Sequence, residues 1–376
     1  MLKALTVFGT RPEAIKMAPV VKEFQKFPDR VQVVVCVTGQ HRTMLDQVLQ
    51  IFEIVPDFDL DLMTENQSLS VLTAQALEGV CKVIAQVKPD VVLVQGDTTT
   101  AMASALAAFY QKIPLGHIEA GLRTHDPYTP FPEEMNRRLI STLTTFHFAP
   151  TETAAKALRA EGVPPEQIFL TGNTVIDALQ AILCAPGTSN LPAVPAMRKL
   201  ILVTAHRRES FGPPIEEICS ALKKLVQRNS DVEILYPVHL NPNIQEPVYR
   251  ILGSEERIHL TPTFPYADFV LAMNRAYLIL TDSGGIQEEA PALGKPVLVL
   301  RQQTERPEAV EAGAVKIVGT NGDRIISESE LLLRDAAEYE RRSRKVSPYG
   351  DGHAAERVVK ILLDRLEGSS LPGGAA

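Results

Sequence analysis

Residues 276–293 read Ala276-Tyr-Leu-Ile-Leu-Thr-Asp-Ser-Gly-Gly-Ile-Gln-Glu-Glu-Ala-Pro-Ala-Leu293. The tetrad Asp282-Ser-Gly-Gly285 also surrounds the nucleophile of trypsin-like proteases, which are all-β. Here an apolar run over 276–281 enters the tetrad and a helical pattern over 286–293 leaves it. The stretch therefore predicts strand, glycine turn, helix. Such a turn presents backbone N–H groups and the positive end of a helix dipole, which suits an anion. Gly284 and Gly285 let a phosphate come close because no Cβ intervenes. The Gly-x-Ser-x-Gly elbow of α/β-hydrolases is missing. The phosphate cradle is favoured over a Ser283 nucleophile, and a purely structural turn stays open.

The same alternation extends both ways. Strands are expected over 2–8, 31–37, 90–95 and 113–118, and helices over 12–27, 43–52, 69–86, 99–110 and 132–142. Residues 184–197, rich in Pro, Gly and Ser, read as a linker or long loop. The alternation then restarts with strands over 200–204, 232–236, 276–281 and 296–300. Helices are expected over 214–227, 266–274 and 286–293, followed by a charged helical region over 325–346 and a helix over 354–366. Near-continuous apolar strands alternating with helices define an α/β chain with parallel sheets covered on both faces. Two doubly wound domains follow, over 1–180 and 195–350, with 368–376 as a frayed tail.

A net charge of −7 and the absence of Trp argue against a nucleic-acid surface. Cys36, Cys81, Cys184 and Cys219 form no Cys-x-x-Cys pair, so reduced thiols in a cytoplasmic protein are expected. Neither a signal peptide nor a membrane-spanning run is read.

Four strand-end loops of the first half carry chemistry. In Phe8-Gly-Thr-Arg-Pro-Glu-Ala-Ile-Lys16, Arg11 and Lys16 add positive charge beside a helix N-terminus, again suiting a phosphate. Asp97, in Gln95-Gly-Asp-Thr-Thr99, either caps a helix or acts. His117 and Glu119 share the His-x-Glu spacing of zinc deaminases, but no Pro-Cys-x-x-Cys follows and no metal is expected. Glu133 and Glu134 fall in a first helical turn, where acids suit the dipole. Ligands bind parallel sheets at the carboxyl ends of strands, so these carboxylates can converge there. Clustered carboxylates acquire separated pKa values and can do acid and base work.

In the second half, His206, Arg207 and Arg208 follow the first strand. The arginines clamp phosphates or are simply solvated. His239 lies in a similar loop. Phe269 stacks on a base or packs in the core. Glu288 and Glu289 lie one turn past the glycines, placed for ribose hydroxyls, and Arg306 follows the next strand.

With these residues in place the chain closely resembles the non-hydrolysing UDP-N-acetylglucosamine 2-epimerases. The motifs run from 8–16 to Pro348-Tyr-Gly-Asp-Gly352. Between them lie Thr38-Gly-Gln-His-Arg42, Gly96-Asp-Thr98, Glu119-Ala-Gly-Leu-Arg-Thr124, Phe131-Pro-Glu-Glu-x-Asn-Arg137, His206-Arg-Arg-Glu-Ser210 and the opening stretch.

The resemblance implies a GT-B-type fold with the site in a central cleft, a helix over 353–367 that rejoins the first domain, and a homodimer. It implies interconversion of UDP-GlcNAc and UDP-ManNAc with neither NAD nor metal, by elimination of UDP to 2-acetamidoglucal and re-addition, feeding polysaccharide synthesis. Asp97, Glu119, Glu133 and His206 are then catalytic, Asp97 and Glu133 moving protons and Glu119 orienting. Arg11, Lys16, Phe269, Ser283, Gly284, Gly285, Glu289 and Arg306 hold UDP. Gln40, His41, Gln67 and His239 match a region where bacterial members bind a second, activating UDP-GlcNAc. Asn66 replaces an Arg of several relatives and Gln95 a His of many. Three other readings are a hydrolysing epimerase, a glycosyltransferase and a UDP-sugar sensor. The first loop disfavours the first, no acceptor feature supports the second, and retention of all three carboxylates argues against the third.

Overall fold

The computed structural model describes residues 1–39, 42–62, 67–185, 191–193, 195 and 197–368. In chain order the first elements are β1 (Leu2–Phe8), α1 (Arg11–Phe24), β2 (Val31–Val37), α2 (Arg42–Ile51), β3 (Phe58–Asp59), α3 (Leu69–Val87), β4 (Val91–Gln95) and α4 (Thr99–Tyr110). Next come β5 (Leu115–Ile118), α5 (Glu133–Leu143), β6 (Phe146–Ala149), α6 (Glu152–Ala160), β7 (Ile168–Leu170) and α7 (Thr174–Cys184). Then follow β8 (Lys199–Thr204), α8 (Pro213–Arg228), β9 (Val232–Pro237), α9 (Pro242–Leu252), β10 (Ile258–Thr261), α10 (Tyr266–Arg275), β11 (Leu278–Thr281) and α11 (Gly284–Ala292). The chain closes with β12 (Val297–Val299), α12 (Pro307–Glu311), β13 (Val315–Ile317), α13 (Gly322–Arg334), α14 (Ala336–Arg342) and α15 (Ala354–Gly368).

Two compact units divide the chain, Met1–Gln180 with Tyr349–Ala376, and Ala181–Pro348. The first holds a seven-stranded sheet of order β3-β2-β1-β4-β5-β6-β7, the second a six-stranded sheet of order β10-β9-β8-β11-β12-β13. Every strand pair is parallel. In each sheet the chain moves one way from the central strand, then jumps back and moves the other way. Right-handed crossovers place the helices of the two directions on opposite faces. The order reverses between β1 and β4 and between β8 and β11, and the loops after those strands meet at the switch points.

The first core shows why the elements form. All five residues of β4 are buried, and each fully buried valine contributes about 1.5–3 kcal/mol. α4 is capped by Thr98, whose hydroxyl accepts the Ala101 N–H at 3.0 Å. Ala101, Ala105 and Ala108 are small, buried and close to one per turn, which seats α4 tightly between its sheet and α3. The last helix returns to this unit. Ala354, Ala355, Val358, Val359, Leu362 and Leu363 make its buried stripe, and it packs on α1. Asp177 caps it by accepting the Ala354 and Ala355 N–H groups at 3.2 and 2.8 Å. Among the described residues no helix is long and apolar enough to cross a membrane.

The sequence reading passes over β3, β6, β7, β10 and β13 and the helices α6, α7, α9 and α12. The charged region over 325–346 is two helices, α13 and α14, which meet at Asp335; its side chain caps the second. Gln40, His41, Asn66, half of the 184–197 loop and the tail beyond Gly368 lie outside the described residues.

Candidate active site

In the first unit the switch point gathers the loops after β1 and β4. Glu13, fully buried on α1, accepts the Gly9 and Thr10 N–H groups at 2.9 and 2.7 Å and the Thr98 hydroxyl at 2.6 Å. Burial nonetheless pushes its carboxyl up. At the helix N-terminus read as suiting a phosphate beside Arg11 and Lys16, the Gly9 and Thr10 N–H groups are already taken by a carboxylate of the chain. Arg11 stands half-buried at the first position of α1.

Lys16, expected beside a diphosphate, stands instead with the carboxylates: its ammonium lies 2.5 Å from Glu119 Oε1. Glu119 follows β5 with φ +67°, a left-handed backbone uncommon outside glycine. Its side chain is received by three donors: Lys16, the Gln95 amide and the Asn173 amide at 3.0 Å. A donor set of one cation and two amides matches a carboxylate rather than a carboxylic acid. Gln95 thus fulfils a donor role at Glu119.

Asp97 opens the loop before α4. Arg137 Nε and Nη2 converge on its Oδ2 at 2.8 and 2.7 Å, and the Asn136 amide donates to its carbonyl at 2.9 Å. Burial pushes its carboxyl above the usual range; Arg137 pulls it down and Glu119 adds a further upward push. Asn136 and Arg137 thereby fasten α5 to Asp97, one turn from Glu133. The Oε2 of Glu133 is buried without a hydrogen-bond partner. Its neighbour Glu134 is fully buried and accepts the Thr124 and His125 N–H groups at 3.0 and 3.3 Å, plus Arg137 and Arg138, each at 3.2 Å. His117 lies 2.7 Å from the Gly96 carbonyl through Nε2, and burial pushes its pKa down to about 3. The imidazole is neutral and pins the turn that carries Asp97.

In the second unit the switch point lies between the loops after β8 and β11. Asp282, fully buried, accepts the N–H groups of His206 and Arg207 at 2.6 and 2.7 Å through Oδ2. His206 Nδ1 is 3.4 Å from its Oδ1. The His206 ring lies parallel to that of His239, with centroids 5.5 Å apart.

Ser283 is the N-cap of α11, and Gly284 and Gly285 are its first residues. Neither glycine has a positive φ, so no backbone demand selects it. A Cβ at Gly284 would meet only the Arg306 and Arg207 guanidiniums, at 3.9 and 4.0 Å, and one at Gly285 only Glu289 Oε1 at 3.8 Å. Packing does not demand glycine either, and glycine costs a helix about 1 kcal/mol relative to alanine. What two glycines do provide is bare backbone N–H at a helix N-terminus faced by two cations. Glu288 bonds Arg306 Nε, Thr304 accepts the Arg306 N–H at 3.1 Å, and Gln287 receives the Thr304 hydroxyl at 2.5 Å. Glu289 accepts the Tyr266 hydroxyl at 3.2 Å. Phe269 is half-buried on α10, whose Val270 and Met273 are fully buried. Arg207 and Arg306 thus stand together at the N-terminus of α11. Asn136, Arg137, Asn173, Asp282, Gln287 and Thr304 are structural supports to which sequence reading assigned no role. Asn136, Arg137, Asp282 and Gln287 carried a signal, as letters inside quoted motifs.

Two parallel-sheet units of this kind, with polar side chains at their switch points, define a GT-B-type α/β protein. A kitacinnamycin glycotransferase structure shares this fold at a TM-score of 0.63 and 13% identity, over 96% of this chain and 98% of that one. The family model of UDP-N-acetylglucosamine 2-epimerase matches residues 22–363. The chain is 55% identical over 370 residues to the UDP-N-acetylglucosamine 2-epimerase of Salmonella typhimurium, covering 96% of this chain and 98% of that protein. It superposes on the crystal structure of the Neisseria meningitidis UDP-GlcNAc 2-epimerase bound to UDP-GlcNAc with a TM-score of 0.89 at 48% identity, over 96% of this chain and 100% of that one. The chain belongs to the UDP-N-acetylglucosamine 2-epimerase family.

Proposed function

We propose that this chain is an isomerase that interconverts UDP-GlcNAc and UDP-ManNAc, by eliminating UDP to 2-acetamidoglucal and adding it back. The observation that carries the reading is the three-carboxylate set on a chain of this family. Glu119 is gripped by three donors, Asp97 has its carboxyl pushed up, and Glu133 keeps a buried oxygen without a hydrogen bond. Three carboxylates in three environments suit three tasks.

The C2 hydrogen of the sugar is not acidic, so its removal is assisted by departure of UDP from C1. Cleaving C1–O leaves an oxocarbenium-like centre, which a fixed carboxylate stabilises. Glu119 serves there as the anchored anion. Asp97 and Glu133 move the proton at C2, one removing it and the other returning it to the opposite face. His206, oriented by Asp282, assists at the leaving phosphate. The diphosphate is held by Ser283, Gly284, Gly285, Arg306 and Arg207, with Arg11 contributing charge. Glu289 takes the ribose and Phe269 the uracil. Lys16 acts through Glu119.

A homodimer is proposed on α3, α4 and α5, adjacent helices that leave Leu69, Val71, Phe109, Tyr110, Met135 and Leu139 exposed. Gln67 and His239 remain candidates for a second, activating UDP-GlcNAc. The reaction is assigned to the cytoplasm, supplying ManNAc nucleotides to surface polysaccharide.

The test is chromatography of UDP-GlcNAc incubated with purified protein and no added cofactor. UDP-ManNAc in equilibrium with UDP-GlcNAc is the expected product. Free ManNAc with stoichiometric UDP identifies a hydrolysing enzyme, and unchanged sugar identifies a transferase or sensor.

A further inference from the structure

Asn173, 2% exposed, sits between β7 and α7 and uses each polar group for a different purpose. Its backbone N–H donates to the Tyr349 carbonyl at 2.5 Å. Its side-chain Oδ1 accepts the Val175 N–H at 3.1 Å, which caps α7. Its Nδ2 donates to Glu119 Oε1 at 3.0 Å. The amide orientation follows from having a donor at one end and a carboxylate at the other.

Tyr349 is where the chain re-enters the first unit. The backbone there presses on residues 172–173. A Cβ at Gly172, φ +88°, would lie 3.1 Å from Gly350 Cα; one at Gly350, φ +130°, would lie 3.2 Å from Gly172 Cα and 3.3 Å from Asn173 N. Two glycines in left-handed conformations let the two backbones touch. Glu119, on its own left-handed backbone, depends on distant donors for its side-chain direction.

We propose that Asn173 is a positioning residue for Glu119, and that the returning segment 349–350 fixes Asn173 through the glycine contact and the Tyr349 carbonyl. The carboxylate set is thereby tied to the point where the chain crosses back. A displacement of residues 349–350 moves the Glu119 carboxylate through one covalent residue and two hydrogen bonds. The proposal rests on the assignment of Glu119 to the reaction made above.

The test compares Asn173→Asp, Asn173→Ser and Gly350→Ala with the wild type on UDP-GlcNAc. Asp and Ser both retain an oxygen that caps α7, but neither donates to Glu119 as the amide does; Ser is too short and Asp brings a like charge. Loss of a hydrogen bond to a charged group predicts kcat reduced about 10- to 100-fold in both, with KM within about twofold. The acid limb of kcat/KM moves upward, by at least about one unit in the Asp variant. Gly350→Ala lowers kcat in the same sense. A capping role alone predicts Asp and Ser variants with wild-type kcat and an unmoved limb, and that result overturns the positioning role. Wild-type kcat in Gly350→Ala, with only a lowered Tm, overturns the link to the returning segment. The Ser variant, uncharged, decides the matter should the Asp variant fail to fold. A wild type that forms no UDP-ManNAc overturns the functional reading itself, and the proposal falls with it.

Discussion

Glu133 and Glu134 are adjacent in sequence and opposite in situation. Glu134 is sunk in the protein and bonded to two backbone N–H groups and two arginines, whereas Glu133 holds a buried oxygen without a hydrogen bond. Glu133→Gln is expected to lower kcat at least about 100-fold, the range for loss of a proton-transfer group, and to leave Tm within about 2 °C. Glu134→Gln is expected to lose about 3–5 kcal/mol, as when a buried ion pair is broken. Thermal unfolding and turnover of the two variants check the contrast. Equal losses of Tm would contradict it.

The glycines of α11 make a counterintuitive case. Their φ values are ordinary and a Cβ has room, so Gly285→Ala is expected to raise stability by about 0.4–1 kcal/mol. The same methyl lies where the proposed cradle brings a phosphate to the backbone. Affinity for UDP, measured by calorimetry, is expected to fall at least about tenfold. A variant that is more stable and binds UDP as before would remove the cradle.

Asp282 holds two backbone N–H groups with one oxygen and faces the His206 ring with the other. Asp282→Asn retains an oxygen acceptor and withdraws the charge beside the imidazole. It is expected to lower kcat/KM about 10- to 100-fold and to shift the His206 titration, followed by NMR, to lower pH. An unmoved titration would show that Asp282 serves the backbone alone.

His117 gives a pH dependence of stability with a definite sign. Its pKa falls from an ordinary 6.5 to about 3 through burial. The unfolded chain therefore binds the extra proton across pH 3–6.5, and the stability due to the neutral ring is full above 6.5 and declines as pH falls toward 3. His117→Gln, which keeps a donor for the Gly96 carbonyl, is expected to lose less stability than the wild type between pH 7 and 4. Parallel Tm–pH curves would contradict this.

Much of the fold was legible because strands such as β1, β2 and β4 are near-continuous apolar runs between clear turn signals. β7 shows where legibility ended. It is three residues long and buries little of itself, so only its pairing with β6 makes it a strand. The candidate site letters were legible because Asp97, Glu119, Glu133 and His206 sit in compact motifs at strand ends. The partners of those letters were not. Lys16 was assigned to phosphate on charge and position, while its partner Glu119 is 103 residues away. Asn173 reaches Glu119 over 54 residues, from a stretch whose own pattern says nothing of it. Local sequence fixes which chemistry is present, and long-range hydrogen bonds decide which groups are held and which are left to react.

The central claim is that UDP leaves and returns while C2 changes face. Proton NMR of the protein with UDP-GlcNAc in D2O tests it most directly. The account predicts that UDP-ManNAc forms and that C2 takes up solvent deuterium in both epimers. Epimerisation with full retention of the C2 hydrogen would contradict it.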